Sequence, residues 1–429
     1  MAFNISKNDG KLRKARNIAG ITMGNAIEFY DFAIYGTYAV LLGQLFFPGT
    51  SDFEKLMLSF ATLGVGFITR PLGAILIGLY ADKFGRRPAL LFTLWLMSIG
   101  TLLFVVTPTY QQIGIWATVI IMLARLMQGF ALGGEFGAST TMLMEYADNS
   151  NRGFYSSWQL FGQGLNTLLA SLVGISIGFW LKDDIASLHS WGWRLAFAIG
   201  LLIVPMALYI RKTLPETKHK KTDESTGTLL KLVFKKYPKQ LITGILLTLG
   251  STVPVYITLF YLANFAISEL QFEMRSSIVA SCIAASVQIV LVPFIGMLSD
   301  KVGRKPLILW SRILTILAIY PVFMLLTSYP SLITLYSCVF VLAILIAVNS
   351  VPSLIVCAEI FPSKIRATGL SVVYSLSVAI FGGFAQMIVT GLIHWMHDLK
   401  APAYYVIATM AISIIGVFMF KETAGKELE

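Results

Sequence analysis

The chain has 429 residues, 56% of them hydrophobic and only 13% charged, with a net charge of +11 and a mean hydropathy of +0.75. Soluble globular proteins carry roughly 25% charge, so this composition excludes a water-soluble domain. Its lysines and arginines fall between long apolar runs, which excludes a nucleic-acid surface and leaves an all-α polytopic membrane protein; the short alternating segments of a membrane barrel do not occur.

The N-terminus is polar and basic up to Arg16. The first apolar run then covers 18–47, too long for a signal-peptide core, so it reads as a retained span. Twelve spans are expected, at 18–47, 56–80, 89–107, 112–146, 154–181, 193–211, 240–266, 276–298, 307–327, 332–358, 366–393 and 402–420. Several exceed the roughly 20 residues that cross a bilayer, which predicts tilt or helical extension beyond it. The polar stretch 211–239 reads as a cytoplasmic linker between an N-terminal half, 1–210, and a C-terminal half, 240–429. Its basic amphipathic second part either lies on the anionic inner leaflet or is solvated.

Putting both termini inside places 25 of the 33 basic residues on inner segments and only Lys55, Lys182, Arg275 and Lys400 on outer loops. The positive-inside rule then predicts a multi-pass protein of the cell inner membrane with both termini cytoplasmic. Arg70, Arg125, Arg194 and Arg312 lie in or at the ends of spans.

One inner loop occurs twice. Residues 78–88 read G-L-Y-A-D-K-F-G-R-R-P and residues 296–306 read G-M-L-S-D-K-V-G-R-K-P, identical at six of eleven positions. The steps Glu145 to Arg152 and Glu359 to Arg366 are both seven residues, and Glu216-Thr217 is echoed by Glu422-Thr423. Three echoes at similar offsets predict two six-helix repeats of parallel orientation. In the loops, Asp82 and its copy Asp300 are suited to the N-terminal amides of a neighbouring helix. Arg86 and Arg87, and their copies Arg304 and Lys305, are suited to acids at other span ends, such as Glu145 and Glu359. With Arg152 and Arg366 they would form a charge-paired latch that closes when the protein opens outward. The alternative is a static topology signal, but such a signal needs only the cations.

Charges within the spans bear on chemistry. Glu28 and Asp31, three apart, share one helical face in the first span. Arg70 and Arg125 lie mid-span in the second and fourth. A charge at that depth costs about 2.5–3.5 kcal/mol even on the mild insertion scale. The four form either a structural salt-bridge cluster or a proton and substrate site in which an acid titrates against Arg125. Tyr30 with its aromatic neighbours Phe29, Tyr35 and Tyr38 adds to a plausible cavity. Gln159, Gln163 and Asn166 repeat at helical spacing on the fifth span, as interhelical glue or pore lining. In the second half, Pro254 with Tyr256 and Asn349 with Pro352 mark broken or polar helix positions, while mid-span charge is assigned to the first half alone. Trp191 and Trp193 read as interfacial residues. Cys282, Cys338 and Cys357 fall in apolar runs and read as packing residues, not as a disulfide or metal set. His394 and His397 are expected in an outer loop, with no further ligands for a metal. No phosphate-binding loop occurs.

The duplicated loops resemble the signature of the major facilitator superfamily over nearly the whole chain. Within it the chain is similar to the metabolite:proton symporters, which include proline/betaine, α-ketoglutarate, citrate and shikimate transporters. The similar segments are G-N-A-I-E-F-Y-D-F at 24–32, R-P-L-G at 70–73, R-L-M-Q-G-F-A-L-G-G-E-F at 125–136, R-G-F-Y-S-S-W at 152–158, W-G-W-R at 191–194 and S-V-A-I-F-G-G-F-A at 377–385. The resemblance implies twelve spans, a central cavity and proton-coupled uptake, with Glu28, Asp31 and Arg125 on the family's motif positions. Two departures stand out. Ala196 occupies a position where the family usually has proline, and the chain ends at Glu429 without the extended coiled-coil tail of some osmosensing members.

The expectation is a non-enzymatic secondary transporter. It imports a small polar metabolite with protons by alternating access, uses the proton gradient rather than a cofactor, and is a monomer in the lipid bilayer. A proton-coupled exporter on the same fold and a non-transporting solute sensor are the alternatives.

Overall fold

A computed structural model describes residues 2–84, 86–133, 135–181, 184–201 and 226–427. Every regular element among them is helical. Among the described residues nine helices are long and apolar enough to cross a membrane: Asp52–Tyr80, Ile115–Glu145, Arg152–Trp180, Pro238–Ser268, Met274–Val302, Arg304–Ser328, Leu332–Glu359, Arg366–Met396 and Ala401–Met419. They coincide with the second, fourth, fifth and seventh to twelfth expected spans. The third is the shorter apolar helix Leu91–Val106. The first is three helices, Ala2–Glu28, Tyr30–Thr37 and Ala39–Phe46, broken at Phe29 and Tyr38. The sixth is helical over 193–201, and its remainder lies outside the described residues.

Most of the expected linker is also outside them. Its described part includes the helix Thr226–Lys236. Leu229 and Val233, one turn apart, are buried there, and the helix packs against the second, seventh and eleventh spans. The sequence left this stretch on the leaflet or in solvent. Its apolar stripe in fact finds protein.

Two pseudo-symmetric six-helix halves meet along a few seams. The fifth span packs along the eighth, the second against the eleventh, and the first against the seventh. Proline and π-helical turns shape the second half of these seams. Pro254 lies near the end of the helix Pro238–Tyr256, where its missing N–H weakens the ladder, and the π-helical turn Ile257–Tyr261 follows. A second such turn, Val378–Gly382, interrupts the eleventh span.

Both described ends of the chain share one face. Lys14 Nζ sits 4.2 Å from the ring centre of Tyr155, Asn17 donates to Tyr146, and the Lys426 carbonyl accepts from Arg152. Near that face the fifth and eighth spans touch backbone to backbone. A Cβ on Gly296 would stand 2.6 Å from the Gly153 carbonyl oxygen, and a Cβ on Gly153 would strike the Gly296 carbonyl. Only hydrogen fits there. Gly153→Val is therefore expected to hold the two spans apart on this face while the protein still inserts. Cysteines placed across the crossing should cross-link readily in the wild-type background and poorly in the variant. Equal cross-linking in both would contradict the packing described.

Candidate functional site

Between the halves lies a central cavity. Phe29, Phe32, Phe67, Gln163 and Asn166 line it from the N-terminal half, and Tyr256, Phe260, Ser350, Tyr374 and Gln386 from the C-terminal half. The face bearing the chain ends is closed beneath it by Phe136 stacked on Tyr374 at 3.4 Å between ring centres. At the other end Phe260 abuts Gly36, Phe384 abuts Gly64 and Phe67 abuts Gly383, and Asn264 donates to the Gly36 carbonyl at 2.9 Å. Among the described residues the two halves thus touch at both ends of the cavity.

Behind the N-terminal wall of the cavity sits a polar cluster. Asp31 is 6% exposed. One carboxylate oxygen, Oδ2, accepts from Gln128 Nε2 at 2.9 Å and from the Thr101 hydroxyl. The other faces Gly200 of the sixth span, where a Cβ would come within 2.6 Å. Arg125 is fully buried. Its Nη1 donates to Gln128 Oε1 at 3.0 Å, and its Nη2 donates to the backbone carbonyl of Asp31 at 3.2 Å. Among the described residues no salt bridge joins Asp31 and Arg125. Gln128 stands between them, one end on each. The guanidinium is also enclosed by Tyr35, Phe32 and Phe104 at 4.0, 4.9 and 4.6 Å to ring centres. Cation–π attraction offsets part of its desolvation.

The expected site residues thus divide. Asp31 and Arg125 come together through Gln128 and Thr101, which no spacing argument had singled out. Glu28 ends the preceding helix, half-buried, outside this cluster. Gln163 and Asn166 line the cavity, and Gln163 donates to the Tyr374 hydroxyl at 3.0 Å. Gln159 is fully buried away from the cavity lining, and its backbone carbonyl accepts from Asn25. Tyr30 turns its hydroxyl to the Ala196 carbonyl at 3.1 Å and packs the first span on the sixth.

Three sequence readings change. Trp193 is no interfacial residue: it is fully buried, edge-on to Phe46 at 5.1 Å. Trp191, at 40% exposed, keeps that role open. Nor is mid-span charge confined to the first half. Arg312 is fully buried within the helix Arg304–Ser328. It donates to Asn349 Oδ1, the Ser413 and Leu247 carbonyls and Ser353 Oγ at 3.1, 2.7, 2.8 and 3.3 Å. Three helices supply those acceptors, so Arg312 ties its own ninth span to the seventh, tenth and twelfth. Asn349, read as a polar break, serves that tie. His394 belongs to the helix Ala385–Met396 rather than to a loop, and stacks on Phe53 at 4.1 Å.

The second copy of the duplicated loop forms a latch across the halves. Asp300 accepts from the Gly153 and Phe154 amides at 2.8 and 3.0 Å, at the N-terminus of the fifth span. Arg304 pairs with Asp300 at 2.9 Å and with Glu359 at 3.2 Å. Arg152 from the other half pairs with the same Glu359 oxygen at 3.2 Å. Arg366 is buried beside this group, with Arg152, Glu359 and Glu145 in its field. Glu145 itself is exposed. In the first copy, the side chains of Asp82, Arg86 and Arg87 lie outside the described residues.

The C-terminal segment completes the latch. Thr423 donates to Glu359 at 2.5 Å. Glu422 accepts from the Arg304 and Lys305 amides at 3.0 and 2.9 Å, capping the ninth span, and Lys305 Nζ donates to the Phe420 carbonyl at 3.2 Å. Burial pushes the Glu422 carboxyl up, but the amides of Ala424, Arg304, Lys305 and Thr423 outweigh it and hold it below the usual carboxylate range. A depressed pKa makes this docking fully present above the ordinary value and lost as pH falls through the lowered one. Protease protection of the C-terminal segment should therefore stay constant from about pH 8 to about pH 5. Glu422→Ala should abolish it at every pH, and a loss near neutrality in the wild type would contradict the cap.

The chain matches a model of the Major Facilitator Superfamily over residues 22–376 and 241–428. The chain belongs to the major facilitator superfamily. A citrate-proton symporter of Klebsiella pneumoniae is 34% identical over 391 residues, covering 90% of this chain and 87% of that protein. The proline/betaine transporter of Escherichia coli K12 is 30% identical, covering 98% of this chain and 86% of that one. The alpha-ketoglutarate permease of the same strain is 30% identical, covering 96% and 95%. The proton:xylose symporter XylE bound to 6-bromo-6-deoxy-D-glucose superposes with a TM-score of 0.77 over 97% of both chains at 17% identity, a likeness of fold. This member of the superfamily is a membrane transporter, not an enzyme.

Proposed function

We propose that this transporter imports a small polar metabolite together with protons across the cell inner membrane. The carrying observation is Asp31, a buried carboxylate held by uncharged donors one amide away from a buried arginine. An ionised carboxylate in that setting is costly, and protonation removes the cost. Protonation at Oδ2 converts an acceptor into a donor, so the Gln128 amide loses its partner there. Gln128 and Arg125 then rearrange together, beneath Phe32, which lines the cavity. The curated relatives support this reading, since the names of several describe proton symport.

The duplicated basic loop supplies the gate. The face with the chain ends is read as cytoplasmic from the charge bias. Arg152, Asp300, Arg304 and Glu359 hold it shut while cargo enters from outside, and their separation releases cargo inward. The two halves, 1–210 and 240–429, rock about the cavity as units joined by the segment 211–239, and a monomer suffices because the cavity lies within one chain.

Proteoliposomes test the proposal. An inward proton gradient should drive saturable accumulation of at least one of citrate, proline, glycine betaine or 2-oxoglutarate, and a protonophore should abolish it. Accumulation indifferent to the protonophore, outward transport alone, or binding without counterflow would each overturn it.

A further inference from the structure

Arg70 is 2% exposed, and its Nε and Nη2 are buried without a hydrogen-bond partner. No described acid pairs with it. Its guanidinium rests on the rings of Phe67, Phe32 and Phe29 at 4.1, 4.9 and 5.1 Å, all three of which line the central cavity. Phe32 carries Arg125 at 4.9 Å as well, so two buried cations share one ring, and among the described residues Asp31 is the acid hydrogen-bonded within that cluster. Aromatic faces offset part of the charge but accept none of the N–H bonds. Buried donors without acceptors are costly, and charged ones most of all.

The opposite wall repeats the pattern in neutral form. Gln386 is fully buried with its carbonyl engaged by Asn264 at 3.4 Å, and its Nε2 has no acceptor. Among the described residues the cavity lining contains no Asp, Glu, Lys or Arg. Among the described residues the site is therefore backed by one cation without an acid partner, standing behind aromatic rings that must turn aside for cargo to reach it, and by an unpaired amide donor on the opposite wall. We infer that Arg70 is the anchor for a single carboxylate of the cargo, with the Gln386 amide donating to an acceptor at the far end. A planar guanidinium suits a carboxylate with two parallel bonds. Among the described residues one cation near the cavity lacks an acid partner, which matches one carboxylate, so a second or third ionised carboxylate would enter this cavity unpaired. The rest of the cargo is uncharged, or is a quaternary ammonium, which needs no hydrogen-bond acceptor and is accommodated by ring faces such as Tyr256 and Phe260.

This inference rests on the transport reading, and binding separates the two. Purified full-length protein in nanodiscs would be titrated calorimetrically with propionate, glycine betaine, succinate, citrate and methyl propionate, in wild type and in Arg70→Gln and Arg70→Lys. The expected result is binding of propionate or glycine betaine, whichever body the cavity takes, with citrate and succinate weaker and the ester silent. Arg70→Gln should weaken the bound carboxylate roughly 10- to 100-fold. Arg70→Lys should fall between, since it keeps the charge but loses the fork. Binding unaffected by Arg70→Gln overturns the inference, as does preference for citrate, equal binding of ester and acid, or no binding by any carboxylate. The wild-type panel decides even where a variant fails to fold. Loss of proton-driven uptake alongside Arg70-dependent binding would instead overturn the transport reading alone.

Discussion

Asp31→Asn is expected to abolish proton-driven accumulation while leaving exchange of cargo across the membrane intact. The amide matches the protonated acid in size, keeps an oxygen for the Thr101 hydroxyl, and offers an NH2 in place of the O–H. The variant is thus held in the loaded form of the switch. A carrier so fixed can still cycle with cargo but cannot collect a proton outside and lose it inside. For one proton per cargo, each unit of inward pH gradient supports about tenfold accumulation, equivalent to about 1.4 kcal/mol. In Asp31→Asn that ratio should fall to one at every gradient. Counterflow of labelled against unlabelled cargo should persist within a few-fold of wild type. Gln128→Leu should share part of the defect, because it removes the link from Asp31 to Arg125 but not the acid. Gradient-driven accumulation by Asp31→Asn at the wild-type level would leave the coupling role without support. Glu28→Gln provides the comparison, since that acid lies outside the hydrogen-bonded cluster and should retain coupling.

The fold was more legible than the site, and the reason is physical. Long apolar runs, a repeated basic loop and a one-sided distribution of cations are properties of composition along a line, and the bilayer reads them almost independently of tertiary packing. Asp31 and Arg125 stood out because a charge at bilayer depth is costly wherever it lands. Their true linkage did not, since Gln128 and Thr101 are ordinary residues whose role exists only where the first, third and fourth spans converge. Gln159, Gln163 and Asn166 share a spacing, yet only the last two reach the cavity, because helical spacing fixes a face and not what that face meets. Arg312 was undervalued because its acceptors are mostly backbone carbonyls and small hydroxyls, which leave no acidic signature. Glu422 and Thr423 were visible as an echo of the first half, but their place in the latch depends on the chain returning from the twelfth span to the start of the ninth.

Glu359→Gln should open the latch face. Glu359 gathers Arg152 from one half, Arg304 from the other and Thr423 from the C-terminal segment, and its side chain is fully buried. Neutralising it leaves two buried guanidinium groups sharing an amide that can accept but carries no charge. Breaking one side of such a buried pair costs about 3–5 kcal/mol. Arg304 retains Asp300, and Arg152 retains Asn149 Oδ1 at 3.2 Å, so the lower end of that range applies. About 3 kcal/mol shifts an equilibrium between closed and open faces roughly 100-fold. The chain carries its own reporter. Cys357 lines the cavity, is 2% exposed, and lies two residues before Glu359 on the tenth span. With Cys282 and Cys338 replaced by serine, Cys357 should resist a membrane-impermeant thiol reagent applied to the latch face of the closed protein. Glu359→Gln should raise its labelling rate towards that 100-fold. Arg152→Gln should do so as well, and because Arg152 belongs to the other half, its effect cannot arise from a disturbance local to Cys357. Glu359→Asp, which keeps the charge, should restore most of the protection. If all three variants label at the wild-type rate, the ion pairs decorate this face rather than hold it shut. The work of closure would then rest on the Gly153–Gly296 crossing and the Phe136–Tyr374 stack.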